Sequence, residues 1–325
     1  MSELDTDATR ARRRTMLATA MGPEIRDALA DPTVIEIMVN PDGKLWLDKA
    51  GRGRFDTGRT LPPGAAERII RMVASHIRFE CDAAQPIVSA ELPGTGERFE
   101  GLLPPVAAAP CFAIRKPASL IYRLVDYVDA GIMTVAQAGL LKEAVARRRN
   151  ILVVGGTSSG KTTLANALLA EVAASGDRVV IIEDTRELQC AAEDCVSLRT
   201  KAGVAALSDL VRSTLRLRPD RIIVGEVRGP EALDMLKAWQ TGHPGGVATI
   251  HGNSAHAALY RLEQLIQEAV VTVPRRLIAD AIDVVVFLRG RGDARRVETV
   301  ADVIGLDSLG DYQLDAPPSL KLATS

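Results

Sequence analysis

The sequence predicts an α/β protein in two parts. A small N-terminal α+β domain comes first, then a doubly wound α/β domain that carries a phosphate-binding loop. Three observations predict this. Short, almost wholly apolar runs at 151–154, 179–182 and 221–224 (the last opening on Arg221) alternate with helical stretches, the pattern of strands covered on both faces of a parallel sheet. The residues after the first run read Gly-Gly-Thr-Ser-Ser-Gly-Lys-Thr, matching G-x-x-x-x-G-K-[ST] at every defined position. From 23 to 117 the pattern instead mixes short strands, one amphipathic helix and Pro- and Gly-rich turns.

At 325 residues the chain has room for about two domains. An apolar fraction of 47% with 25% charged residues is that of a folded globular protein. Forty Lys and Arg against 41 Asp and Glu leave a net charge of −1, and aromatics are only 3%. That balance argues against direct DNA binding, which needs basic surface and stacking platforms. No apolar run approaches the roughly 20 residues of a membrane span, and the N-terminus lacks the apolar stretch of a secretory signal. The four cysteines (Cys81, Cys111, Cys190 and Cys195) are too few and scattered for a disulfide framework. A reducing, cytoplasmic setting is expected.

The elements follow in order. Residues 1–20 are polar, with Arg10, Arg12, Arg13 and Arg14, and are expected to be a flexible terminus; contact with anionic lipid or an acidic partner is the alternative. Residues 21–117 form the small domain. Within it, 34–39 reads as a strand, Asn40-Pro41-Asp42-Gly43 as a turn and 44–48 as the returning strand. Residues 65–79 place Ile69, Ile70, Val73 and Ile77 on one helical face. Segments 98–103 and 111–115 complete an antiparallel sheet. Residues 118–130 read as a linker and 131–311 as the P-loop domain, with helices at 135–148, 162–174, 205–216, 231–240, 255–268 and 275–281. A hairpin is expected from 283–288 and 297–303, and a flexible tail over 312–325.

The chemistry centres on the loop. Gly155, Gly156, Thr157, Ser158, Ser159 and Gly160 are small enough for backbone N–H groups to curl around a phosphate, and the helix that follows adds a field favourable to anions. Lys161 can bridge β- and γ-phosphates and Thr162 can ligate Mg²⁺, with Thr163 next on the helix. Glu183 and Asp184 end the 179–182 strand, and Glu226 follows the 221–224 strand after Gly225. Strand ends face the ligand crevice in such sheets, so these carboxylates can hold Mg²⁺ through water and polarise an attacking water. His251 ends a further strand at 247–250. It can serve as a γ-phosphate sensor, a structural histidine or, with His243 and His256, a zinc ligand, although no cysteine pair accompanies them.

These residues resemble the type II/type IV secretion ATPase superfamily over nearly the whole chain. The 155–162 loop matches its Walker A motif, Ile182-Glu183-Asp184-Thr185-Arg186-Glu187-Leu188 its Asp box, and the segment from Arg218 to Gly229 its Walker B region, which ends in Gly-Glu rather than Asp-Glu. The segment from Gly242 to His251 matches its His box. The resemblance implies a PAS-like N-terminal domain followed by a RecA-like P-loop NTPase domain. Conjugative-transfer ATPases of the TrbB type are the nearest likeness, through the Asn40-Pro41 turn, Ile114-Arg115-Lys116-Pro117 and the compact length. Pilus motors and type II secretion motors are the alternative, but no cysteine follows Cys195 to form the zinc insertion usual in the latter. Ser158 stands where the family commonly has Gly, and is tolerated if its φ is not positive.

The resemblance implies a homo-hexameric ATP hydrolase at the inner membrane, peripheral to it, powering a secretion or conjugation channel with ATP and Mg²⁺. It further implies that Glu183 activates water, Glu226 supports metal and water, His251 couples to the γ-phosphate, and Arg115 supplies neutralising charge. Arg186, Arg199, Arg216, Arg228 and Arg261 compete with Arg115 for that role. A small-molecule kinase and a nucleic-acid translocase or assembly scaffold remain as other classes.

Overall fold

The computed structural model describes residues 7–117, 121–201 and 203–316. The chain forms two compact units, Met1–Ser119 and Leu120–Ser325.

The first unit is a six-stranded antiparallel sheet with two helices. Its strands are β1 (Val34–Val39), β2 (Lys44–Lys49), β3 (Gly53–Thr60), β4 (Ile87–Glu91), β5 (Arg98–Leu102) and β6 (Cys111–Arg115), in the order β3-β2-β1-β6-β5-β4. Helix α2 (Pro63–His76) buries Ile69, Ile70 and Val73 against Ile37, Phe99 and Ile114 of the sheet, as the 65–79 periodicity predicts. Ile77 lies beyond the helix end and stays exposed. Strand β3 carries no apolar alternation because it is an edge strand, exposed along most of its length.

The terminus expected to be flexible is different. Residues 1–6 lie outside the described residues, but Asp7–Ala30 is a helix, α1. It kinks at Gly22, whose φ of 74° and following Pro23 break the hydrogen-bond ladder. Leu17, Met21, Ile25 and Ala28 recur at helical spacing and are buried against the same core as α2. The charge run in its first turns masks this stripe.

The second unit is an eight-stranded sheet, β14-β13-β12-β7-β11-β10-β8-β9. Strands β7 (Ile151–Gly155), β8 (Val179–Glu183), β9 (Cys195–Arg199), β10 (Arg221–Val227), β11 (Val247–His251) and β12 (Val284–Arg289) run parallel. Strands β13 (Arg296–Leu306) and β14 (Tyr312–Asp315) return antiparallel. The expected hairpin is therefore present, with its first strand built into the parallel sheet beside β7. Strand β14 occupies the start of the expected tail; 317–325 lie outside the described residues.

Alternate residues of one strand feed two cores. Leu152 and Val154 of β7 join the core under α6 (Leu207–Thr214), α7 (Glu231–Gln240), α8 (Ala255–Gln267) and α9 (Arg275–Ala281). Ile151 and Val153 join the one under α3 (Leu124–Asp129), α4 (Val135–Ala146) and α5 (Lys161–Val172). Both faces are covered, which is why these strands read as unbroken apolar runs. Helix α3 lies in the segment expected as linker, of which 118–120 are outside the described residues.

Polar pins hold the strand ends in register. Asn150 accepts from the backbone N–H groups of Gly245 and Gly246 at 2.9 Å each and donates to Ala281 O at 2.8 Å, tying the starts of β7, β11 and β12 together. Arg221, 1% exposed, pairs with the buried Asp177 at 2.6 Å and donates to Val145 O at 3.0 Å.

Candidate active site

The sheet order sets the geometry of the site. The loop after β7 and the end of β10 are not neighbours, because β11 lies between them. His251, at the end of β11, therefore falls between Lys161 and Glu226. Its Nδ1 lies 3.3 Å from Lys161 Nζ and its Nε2 lies 2.8 Å from Glu226 Oε1. An ammonium can only donate, so Nδ1 accepts and the ring proton sits on Nε2, which faces Glu226 Oε1 at ion-pair distance without the alignment of a hydrogen bond. Partial burial and the Lys161 charge both lower the imidazole pKa, against the pull of Glu226, which keeps the ring neutral in this arrangement.

Lys161 is buried, and its Nζ also donates to Gly155 O and Gly156 O at 3.2 Å each. It opens α5 directly after Gly160, whose φ of 94° and ψ of 24° are left-handed. Ser158 is left-handed too, at φ 60°. The condition under which Ser was expected to replace Gly without cost is thus not met. A non-Gly residue there costs about 1 kcal/mol or more.

Glu226 reaches His251 because β10 bulges. Val224 pairs with Ala248 and Val227 with Ile250, so Gly225 and Glu226 together oppose Thr249 alone. The Thr249 hydroxyl donates to Gly225 O at 2.7 Å, closing the bulge. The second oxygen of Glu226 accepts from Arg228, which also lies 3.7 Å from Asp184. The Gly of the Gly-Glu pair has its own reason. A Cβ on residue 225 would sit 2.8 Å from Glu183 Cγ, so only Gly leaves room for the Glu183 side chain against the end of β10.

Glu183, at the end of β8, is 4% exposed. Its Oε1 accepts from the backbone N–H of Glu187 at 3.0 Å and of Leu188 at 2.8 Å. Those bonds favour the carboxylate, but burial outweighs them and pushes its pKa up to about 7. Glu187 is a residue that sequence reasoning passed over inside a motif it had quoted. Its Oε2 accepts from the Thr162 hydroxyl at 3.1 Å, and its backbone O accepts from Asn166 of α5 at 3.2 Å. These bonds dock the 184–189 loop on the phosphate-loop helix.

The structure thus brings together Lys161, Thr162, Glu183, Glu226 and His251 of the expected set, with Gly155, Gly156, Thr157, Ser158, Ser159, Gly160 and Thr163 on the same loop and helix start. Arg115 lies on β6 of the first unit, opposite Glu36. His243 holds Pro219 O at 2.9 Å through Nδ1, and His256 is exposed on α8. No cluster of three His, Cys, Asp or Glu suited to a metal occurs among the described residues.

A parallel sheet carrying a phosphate loop, with two carboxylates at the ends of the neighbouring strands β8 and β10, defines a P-loop ATPase. Residues 20–291 match the family described as Type II/IV secretion system protein, and the chain belongs to it. It is 51% identical over 291 residues to the conjugal transfer protein TrbB of Rhizobium radiobacter, covering 89% of this chain and 90% of that one. It is 50% identical over 302 residues to the probable TrbB of Sinorhizobium fredii, covering 92% of each. The crystal structure of the pilus retraction motor PilT with bound ADP shares the fold, with a TM-score of 0.59 at 20% identity over 91% of this chain and 83% of PilT. The chain is accordingly an ATPase of the type IV secretion and conjugal-transfer kind. The small-molecule kinase reading is set aside.

Proposed function

We propose that the chain works as a homo-hexamer, peripheral to the cytoplasmic face of the inner membrane, and drives a conjugative-transfer channel through protein partners. The observation that carries its chemistry is the Lys161–His251–Glu226 bridge across the ends of β7, β11 and β10. The names of its half-identical relatives support the choice of machine.

In this reading Lys161 and the 155–163 backbone hold the β- and γ-phosphates. The oxygen donors around Thr162, whose hydroxyl already faces a carboxylate, are of the kind a hard cation takes. Thr162 and Glu226 would hold Mg²⁺, which supplies charge to the phosphate oxygens. Glu183 takes a proton from the attacking water, a task suited to a carboxylate poised near pH 7. When Lys161 turns to the γ-phosphate, His251 loses a donor at Nδ1, and the change passes to Glu226 through Nε2. Arg115, from the first unit, supplies charge across a subunit boundary, so turnover depends on assembly. The second unit is the motor and the first is the domain that it moves.

The test is ATPase rate against protein concentration, with mass by light scattering on the same samples and Lys161→Ala as control. Specific activity that rises as a hexamer appears, and is absent in the control, is the expected result. A monomer that hydrolyses ATP at full rate would remove the subunit-boundary role and the ring with it.

A further inference from the structure

The phosphate loop has a second flank, on the β12 side of β7. There the turn between β12 and β13 brings Arg295 onto Gly160. A Cβ on Gly160 would lie 2.9 Å from Arg295 Cζ, 3.0 Å from Nε and 3.1 Å from Nη1, so the guanidinium lies across the Cα of the residue that precedes Lys161. Two neighbouring arginines of the same hairpin are paired: Arg289 meets Glu298 at 2.8 Å, and Arg296 approaches the same carboxylate at 4.0 Å. Arg295 has no ion pair among the described residues, and its Nε is shielded from solvent without a hydrogen-bond partner.

A second orphan stands beside it. Tyr127 of α3 is 3% exposed and its hydroxyl is buried without a partner. Arg295 is close enough to act on that phenol, opposing the upward push of burial on its pKa. Unsatisfied polar atoms are rare inside proteins and call for a reason. Two of them, one cationic, adjoin a loop whose backbone is shaped for phosphate.

The opposite flank decides which part of the ligand they meet. Lys161, His251, Glu226 and Glu183 all lie at β7 or toward β11, β10 and β8. That side takes the γ-phosphate and the water. The other end of the nucleotide leaves the loop on the remaining flank. We infer that Arg295 and Tyr127 form the nucleoside-side half of the nucleotide site, the guanidinium binding the α-phosphate and the tyrosine hydroxyl donating to the same end of the ligand. This rests on the reading of the 155–163 loop as the ATP site. The guanidinium fork suits a phosphate and is already positioned, so little order is lost on binding.

The experiment uses the full chain, titrated with a fluorescent ADP analogue, alongside ATPase kinetics and thermal melts with and without ADP. Arg295→Ala is expected to weaken ADP binding about tenfold and to raise KM for ATP by a similar factor, with a much smaller change in kcat. Its ligand-free Tm stays near wild type while the ADP-induced rise in Tm shrinks. Arg295→Lys recovers part of the affinity, since the charge remains and the fork is lost. Tyr127→Phe weakens ADP about threefold. If Arg295→Ala binds ADP like wild type, or kcat falls with KM unchanged, the inference is overturned. Loss of binding that tracks a fall in ligand-free Tm in both Arg295 variants would make the residue a structural cover for the loop, and overturns it too. A wild-type chain that binds no ADP would sink the ATP-site reading itself, whereas wild-type binding indifferent to both Arg295 variants removes this inference alone.

Discussion

The two flanks of the phosphate loop are built on opposite principles. Toward β11, Lys161 is bonded to His251, His251 lies in ion-pair contact with Glu226, Glu226 is bonded to Arg228, and the Thr162 hydroxyl is bonded to Glu187. Toward β12, Arg295 and Tyr127 hold polar atoms that nothing bonds. A ligand arriving on the first flank must exchange partners, so its charge is transmitted along the bridge. On the second flank it only adds partners, so it is gripped. Arg221 gives the contrast within one residue type. Its guanidinium is almost fully buried, yet it is held by Asp177 and two backbone carbonyls and has nothing to offer a ligand.

The bonded flank can be broken most sharply at Glu183. Glu183→Gln is expected to lower kcat by about 10³-fold while ADP affinity changes little, because a general base contributes roughly 10²–10⁴. In the wild type the acid limb of the kcat–pH profile should fall near 7, where the buried carboxyl ionises. A limb near 4.5 would show that burial does not govern this group. The sign for stability is opposite. The folded pKa is raised above the ordinary 4.5, so the group's contribution is full below about 4.5 and is lost as pH rises through about 7. Melts of the wild type and Glu183→Gln should therefore diverge in favour of Gln between those values.

Gly225→Ala tests the packing of Glu183 against the end of β10. The new Cβ, 2.8 Å from Glu183 Cγ, must displace a buried side chain. A drop in kcat on the order of 10²-fold is expected from a misplaced base, with KM for ATP little changed. Steady-state kinetics with unaltered activity would show that Glu183 need not stay where it is.

The smallest effect is at Ser158, on the loop shared by both flanks. Ser158→Gly relieves a left-handed residue at φ 60° and should raise stability by about 1 kcal/mol in a denaturant titration, without loss of nucleotide binding. A destabilised variant would mean that the serine side chain makes a contact that outweighs the strain.

The amino-acid sequence by itself determined the phosphate loop, the parallel strands of the second unit and the strand ends that carry Glu183, Glu226 and His251. Each is a local signal: unbroken apolar runs mark strands covered on both faces, and the loop needs its small residues and its lysine at fixed spacing. The same pattern reading missed α1, where a run of arginines hides a stripe of Leu17, Met21 and Ile25. It missed β3, β4, β9 and β14 as well, which are the edge strands of the two sheets. What only the tertiary structure decided is adjacency. The strand order inserts β11 between β7 and β10, the bulge at Gly225–Glu226 turns one carboxylate to His251, and the β12–β13 turn lays Arg295 on Gly160. Arg295 stands 135 positions from the glycine that it covers, counting from 160 to 295, and no periodicity spans such a gap. Register and strand order are set by the packing of whole faces, so the partners of a strand-end side chain emerge only when the sheet closes.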